Sequence, residues 1–229
     1  VILPDSIRII EEEAFSECGN LENVLLPKNL KSIGRDAFSH CTKLTSIYIP
    51  ESVETLSSRI FMGCESLREF KGGLASEDGR TIIYDNGIYA FAPAGLTEYR
   101  LPEGAKRIIK QVFAECNNLT SVTIPAGYDR IGRESFYGCT SLESVIIEEG
   151  VYQIDILAFA NCTSLMSVYL KTNRPPRIHN STFAKYYNDT YDSDFIGCDF
   201  YVPGGLVVEY QRAEYWKEYK EHIHSYNFE

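Results

Sequence analysis

Positive charge, histidine and long apolar runs are all scarce in this 229-residue sequence, and each shortage removes a class of function. Lysine and arginine number 22 against 32 acidic residues, giving a net charge of −10. That balance argues against a nucleic-acid partner, because phosphate binding relies on clustered cations. No apolar run approaches the roughly 18 residues that a membrane-spanning helix needs. The only histidines are His40, His179, His222 and His224, and neither C-x-x-C nor H-E-x-x-H occurs. A zinc site therefore lacks its usual ligand set. The G-x-S-x-G, Walker and dinucleotide fingerprints are missing as well. The reading is of a non-enzyme with no catalytic residue, no metal and no cofactor.

Hydrophobic residues at 44% and charged residues at 24% are ordinary for a globular chain, which excludes wholesale disorder. The length suffices for one large domain or two small ones. Seven cysteines remain, and taken alone they could mean disulfides with one spare, a metal site, a nucleophile or none of these. Their spacing decides. Cys18, Cys41 and Cys64 lie 23 residues apart, as do Cys116, Cys139 and Cys162. A fixed period in this range marks a repeat architecture. Phe15, Phe38, Phe61, Phe113, Phe136 and Phe159 each precede a cysteine by three, and Leu21, Leu44, Leu67, Leu119, Leu142 and Leu165 each follow one by three.

The unit reads L-P-x-x-[LIV]-x-x-I-x-x-x-[AVIS]-F-x-x-C-x-x-L-x-x-[VI]-x-[LI]. A single copy cannot bury an apolar face, whereas stacked copies build one continuous core. The alternating, β-branched stretch from Leu119 to Pro125 predicts a short strand that proline ends. The A-F-x-x-C stretch predicts a helical or 3₁₀ turn on the opposite side, with Phe and Cys pointing inward. Burial and parallel Cβ vectors predict reduced, structural thiols, although adjacent columns lie within disulfide reach.

These residues resemble the BspA-like class of leucine-rich repeats, found on bacterial surface proteins. The match runs through the Pro, Ile, Ala-Phe, Cys and Leu positions over roughly residues 1–170. Ala75–Arg80 with Ala90–Gly95 is similar to an insertion of that family, and Tyr201-Val202-Pro203 with Tyr210 and Trp216 to its closing segment. The resemblance implies an α/β-type leucine-rich repeat solenoid, a right-handed superhelix with one short strand of a parallel sheet per turn. It also implies an extracellular, bacterial cell-surface protein used in adhesion or ligand capture.

The expected organisation is one continuous solenoid domain. Residues 1–72 hold turns 1–3, 73–101 an inserted β-hairpin segment, 102–170 turns 4–6, and 171–229 a degenerate last turn plus a C-terminal helical cap. Asp85-Asn86-Gly87 between two β-rich runs is the hairpin signal. The hairpin reads first as a packed decoration, with part of a binding face as the alternative. Phe195-Ile196-Gly197-Cys198 reads as a degenerate F-x-x-C turn, and Tyr186–Asp194 as a polar, aromatic loop. Apolar residues from Tyr210 to Ile223 predict one amphipathic helix near 205–223, with Trp216 as its anchor and His222 and His224 in solvent. The chain starts mid-unit, and the expectation is a missing N-terminus that held an export signal and, in one reading, a lipid-anchored cysteine.

Residues flanking the inward strand positions must face out. The outer column is Leu25, Tyr48, Lys71, Thr123, Ile146 and Tyr169. It is unexpectedly apolar and aromatic, so these six are the candidate binding residues for a protein or glycan ligand. Ordinary cross-strand packing is the competing explanation. The leading expectation is a surface-exposed binding or adhesion protein. The alternative is a structural spacer of a larger surface protein, with a hydrolase a distant third.

Overall fold

The computed structural model describes residues 1–186 and 193–228. These fall into two compact units, Val1–Gly95 with Ile109–Phe113, and Leu96–Ile108 with Ala114–Glu229. Each is a stretch of parallel β-solenoid.

In the first unit, β1 (Ile9–Ile10), β2 (Ser32–Ile33) and β4 (Thr55–Leu56) form one parallel series. Strands β3 (Ser46–Tyr48) and β5 (Glu69–Lys71) form another. Registers follow the period, pairing Ile10 with Ile33 and Ile47 with Phe70. The hairpin is present as antiparallel β6 (Thr81–Tyr84) and β7 (Gly87–Phe91). Its positive φ angles fall on Asp85 (45°) and Asn86 (58°), the two central positions of a type I′ turn within the expected Asp85-Asn86-Gly87. Ile82 and Ala90 join the unit's apolar core, so the hairpin is packed in place rather than hung from it.

In the second unit, β8 (Glu98–Arg100), β10 (Ser121–Ile124), β12 (Ser144–Ile147), β14 (Ser167–Leu170), β17 (Asp199–Pro203) and β18 (Ile223–Tyr226) form a six-stranded parallel sheet in that order. The segment 73–101 thus holds both the hairpin and a strand in repeat register, since Glu98, Tyr99 and Arg100 pair with Ser121, Val122 and Thr123. A second series, β9 (Arg107–Ile108), β11 (Arg130–Ile131) and β13 (Gln153–Ile154), runs parallel to itself. These two-residue strands arise from the P-x-x-[LIV]-x-x-I stretch, which carries too short an alternation to announce itself as β. Strands β15 (Ala184–Tyr186) and β16 (Ser193–Phe195) make an antiparallel pair. Residues 187–192 between them, the middle of the expected Tyr186–Asp194 loop, lie outside the described residues.

The A-F-x-x-C stretches are tight turns rather than helix. Ser39 N–H donates to the Asp36 carbonyl at 3.0 Å within its own coil, but Phe38 N–H and His40 N–H donate to Ile60 and Met62 of the next coil at 2.9 and 2.7 Å. With alternate donors committed outward, no helical ladder can propagate. The geometry places non-glycine residues at positive φ in two columns, including Asp36 (53°) and His40 (56°). Each such residue costs on the order of 1 kcal/mol, which the inter-coil bonds offset. At position 63 of the second column a Cβ would sit 2.3 Å from Nδ1 of His40, and glycine is what stands there.

Phenylalanine rings stack through the coils. Phe15–Phe38 and Phe38–Phe61 centroids lie 5.1 and 5.5 Å apart and are nearly parallel, and Phe136–Phe159–Phe183 continues at 5.1 and 5.5 Å. The cysteines beside them donate S–H to the phenylalanine carbonyl of an earlier coil: Cys41 to Phe15 at 3.2 Å, Cys64 to Phe38 at 3.0 Å, Cys162 to Phe136 at 3.1 Å. A small apolar donor suits a site where a backbone carbonyl would otherwise be buried alone. Cys18 departs from the expected burial and is exposed, while Cys116 is half-buried.

The last turn corrects the sequence reading. Phe183, not Phe195, continues the ring stack, and Phe159 N–H donates to Thr182 as the other turns do. Cys198 instead stands immediately before β17, fully buried. The cap is also broken where one helix was expected. A 3₁₀ turn (Gly204–Leu206) leads into α1 (Val207–Arg212), and a second 3₁₀ segment (Trp216–His222) follows a break at Ala213 and Tyr215. On a straight helix, residues 210 and 216 would point about 120° apart. The break lets Tyr210 and Trp216 both be fully buried, with Trp216 Nε1–H donating to the Pro176 carbonyl at 2.7 Å.

Candidate ligand-binding face

All six outer-column residues lie on the face of the strands opposite the buried one, but the two units treat them differently. In the first unit Leu25 is 57% and Tyr48 50% exposed, and Lys71 is exposed beside them, paired to Glu69 at 2.8 Å. Tyr48 and Lys71 are register partners. Leu25 bridges to Ile2, itself 78% exposed, which the same period would have added to the column. The inward neighbours Val24, Ile47 and Phe70 are all buried, so the strand alternation is complete.

In the second unit Thr123, Ile146 and Tyr169 stand side by side in register but are only partly exposed. The row extends to Arg100 on one side and to Tyr201 and His224 on the other. Sequence reasoning missed these three. Arg100 was within reach of the 23-residue step, whereas Tyr201 enters by strand pairing 32 residues after Tyr169, and His224 follows Tyr201 by 23. Tyr169 stacks on Tyr201 with centroids 4.8 Å apart, and Tyr226 stands edge-on to both at 5.2 and 5.8 Å. Phe228 packs on Tyr226 at 4.8 Å, with the Lys171 ammonium 5.9 Å from its ring. A groove of about 240 Å³ opens here among Ile146, Tyr169, Lys171, Tyr226, Asn227 and Phe228. A wider one of about 650 Å³ runs past Lys171 to Glu148 and Glu149.

Charge on this face is held in pairs. Arg100 forks onto Glu148 at 3.1 and 3.3 Å, and Glu148 also accepts the Ala126 N–H at 3.1 Å. The Arg100 hydrogen bond holds the Glu148 carboxyl below its usual range. At the sheet edge, His222 Nδ1 and His224 Nε2 each lie 3.1 Å from Oδ1 of Asp199, so both are engaged rather than loose in solvent. Burial opposes ionisation of Asp199, but the His224 and His222 hydrogen bonds outweigh it and keep its carboxyl low. Among the described residues no three His, Cys, Asp or Glu side chains are grouped to hold a metal ion.

The model of the BspA-type leucine-rich repeat region matches residues 1–75 and 85–190 in six copies. A leucine-rich cell surface protein from Faecalibacterium prausnitzii A2-165 is similar in structure, with a TM-score of 0.62, 22% identity and 95% of this chain covered. The pneumococcal vaccine antigen PcpA is similar at a TM-score of 0.53 and 17% identity, over 99% of this chain. At these identities the likeness is one of fold. This chain spans 61% and 66% of the lengths of those two. No curated protein matches it. No helix among the described residues is long and apolar enough to cross a membrane.

Proposed function

The chain belongs to the BspA-type leucine-rich repeat family, and we propose that it is a non-enzymatic binding module displayed at a bacterial cell surface. It offers the outer face of its strands to a protein or glycan ligand. The observation that carries this reading is the exposure of Leu25 (57%) and Tyr48 (50%) on strands whose other face is closed. Neighbouring apolar side chains left in water on a rigid sheet are a common mark of an interaction surface. The name of one structural neighbour, a leucine-rich cell surface protein, supports the location. Leu25, Tyr48, Lys71, Thr123, Ile146 and Tyr169 are the residues proposed to touch the ligand.

A second reading, a spacer within a longer surface protein, has one observation in its favour. Thr123, Ile146 and Tyr169 are partly covered by their own neighbours, as cross-strand packing requires. Serine at positions 48 and 169 separates the two. The binding reading expects capture of a protein or glycan-array ligand to fall at least tenfold with unchanged far-UV circular dichroism. Absence of any capture by the unsubstituted chain would favour the spacer, and unchanged capture would move the ligand off this face.

A further inference from the structure

On the reading of this chain as a binding module, we infer that residues 226–228 are an autoinhibitory strap. They occupy the second unit's outer row and must lift before a partner can use Ile146 and Tyr169. Both units carry the same pair on successive coils of the outer column, Leu25 then Tyr48 and Ile146 then Tyr169. Leu25 and Tyr48 are mostly open to solvent, whereas Ile146 and Tyr169 are partly covered. Tyr201 supplies part of that cover, stacked on Tyr169 at 4.8 Å within the sheet. The tail supplies another part. The Tyr226 ring stands edge-on to Tyr169 at 5.2 Å and to Tyr201 at 5.8 Å. Phe228 packs on Tyr226 at 4.8 Å, and the Lys171 ammonium lies 5.9 Å from the Phe228 ring.

The path of this segment and its hold are those of a strap. In the sheet, β17 and β14 separate β18 from β12, a span of about 14 Å at the usual strand spacing. Ile146 of β12 nevertheless walls the same groove of about 240 Å³ as Asn227 and Phe228, so the tail leans back across the outer face. Tyr226 and Phe228 are two residues apart, a spacing that puts both rings on one side of an extended chain. Past Tyr226 the segment has left the strand ladder. The groove open beside it contrasts with the void-free packing of a core. Edge-to-face aromatic and cation–π contacts each shift an equilibrium by about tenfold or less, so rings seated this way hold the tail down without locking it. A partner that brings its own aromatic side chains to Ile146 and Tyr169 competes for the same contacts.

The test places a thiol under the strap, by Ile146→Cys in a whole chain that also carries Cys18→Ala. Iodoacetamide labelling is followed site by site with peptide mass spectrometry. Adding Phe228→Ala should speed labelling of the introduced thiol about tenfold, and adding Lys171→Gln instead about twofold. The buried Cys139 and Cys162 should stay protected throughout, which reports that each variant is folded. A synthetic hexapeptide with the sequence of residues 224–229, added to the Phe228→Ala chain, should restore slow labelling, and the same peptide with alanine in place of phenylalanine should not. Labelling indifferent to Phe228→Ala overturns the inference, as does a peptide that fails to protect. Labelling that rises together with that of Cys139 and Cys162 also overturns it, because the segment is then a structural cap. Ligand capture lost with Tyr48→Ser, in a chain whose labelling ignores Phe228→Ala, refutes the strap and leaves the binding module standing. Labelling as expected with no ligand captured by any variant refutes the binding module and leaves the strap as an intramolecular contact.

Discussion

Alanine at Phe38 should destabilise the first unit about twice as much as alanine at Phe15, although both hold the same place in the repeat. Phe38 is fully buried and lies between two parallel rings, 5.1 Å from Phe15 and 5.5 Å from Phe61. Phe15 is half-buried and stacks on Phe38. Removing a phenylalanine from a closed core costs about 3–5 kcal/mol, because the cavity persists after the transfer energy is lost. At Phe15 water already reaches part of the ring and can fill the gap, so about half that cost is expected. The two substitutions should therefore differ by about 2 kcal/mol, a large share of a stability of about 5–15 kcal/mol. Urea unfolding followed by far-UV circular dichroism measures both. Phe38→Ala should also shallow the denaturant slope, since coils couple to their neighbours and a broken contact splits the cooperative unit. Equal losses at the two sites would refute the view that stacking between coils, rather than the seat of each ring in its own turn, carries the energy.

Thiol chemistry and acid titration give two further tests. A thiol reagent should label Cys18 quickly in the folded protein and reach Cys41, Cys64, Cys139, Cys162 and Cys198 only after unfolding, because burial raises the Cys162 and Cys198 thiols well above the usual range. Fast labelling of any core cysteine in the native protein would contradict the column's structural role. The Arg100–Glu148 pair should contribute about 0.2–1 kcal/mol. Since Glu148 is held low in the folded chain, that contribution is present above the ordinary carboxylate pKa and lost as pH falls through the depressed one. Arg100→Gln should therefore narrow the stability gap between neutral and acidic pH, read by urea midpoints, and 0.5 M salt should erase the difference.

What the sequence made legible was whatever repeats. Phe38, Cys41, Leu44 and Ile47 face inward in every coil under the same geometric demand, so the demand shows as columns 23 residues apart. The two-residue strands were hidden because two residues cannot display an alternation. The turns were legible as turns on the opposite side, but their left-handed positions were not, because Asp36 and His40 take positive φ without a glycine to announce it. At the last turn the register slips to 24, from Ile154 to Ile178 and from Phe159 to Phe183, while Cys198 stands where no coil needs a cysteine. A motif search keyed to cysteine therefore fastened on Phe195 and passed over the ring that stacks.

That slip also explains why the aromatic corner could not be found by counting. Inward positions must fit the coils above and below, and they stay apolar or aromatic: Tyr99, Val122, Val145, Val168, Phe200 and Ile223 line one row. Outward positions answer to no such neighbour, and the adjoining row runs Arg100, Thr123, Ile146, Tyr169, Tyr201, His224. Regular coils space such side chains about 4.8 Å apart along the sheet, close enough to act together. Between β14 and β17 the chain spends 32 residues instead of 23 and makes the β15–β16 excursion on the way, yet it returns to set Tyr201 beside Tyr169 in unbroken register. The cap then contributes β18 and with it Tyr226. Three tyrosines thus converge where the repeat has ended, from segments that no core requirement obliges to be aromatic on their outer face.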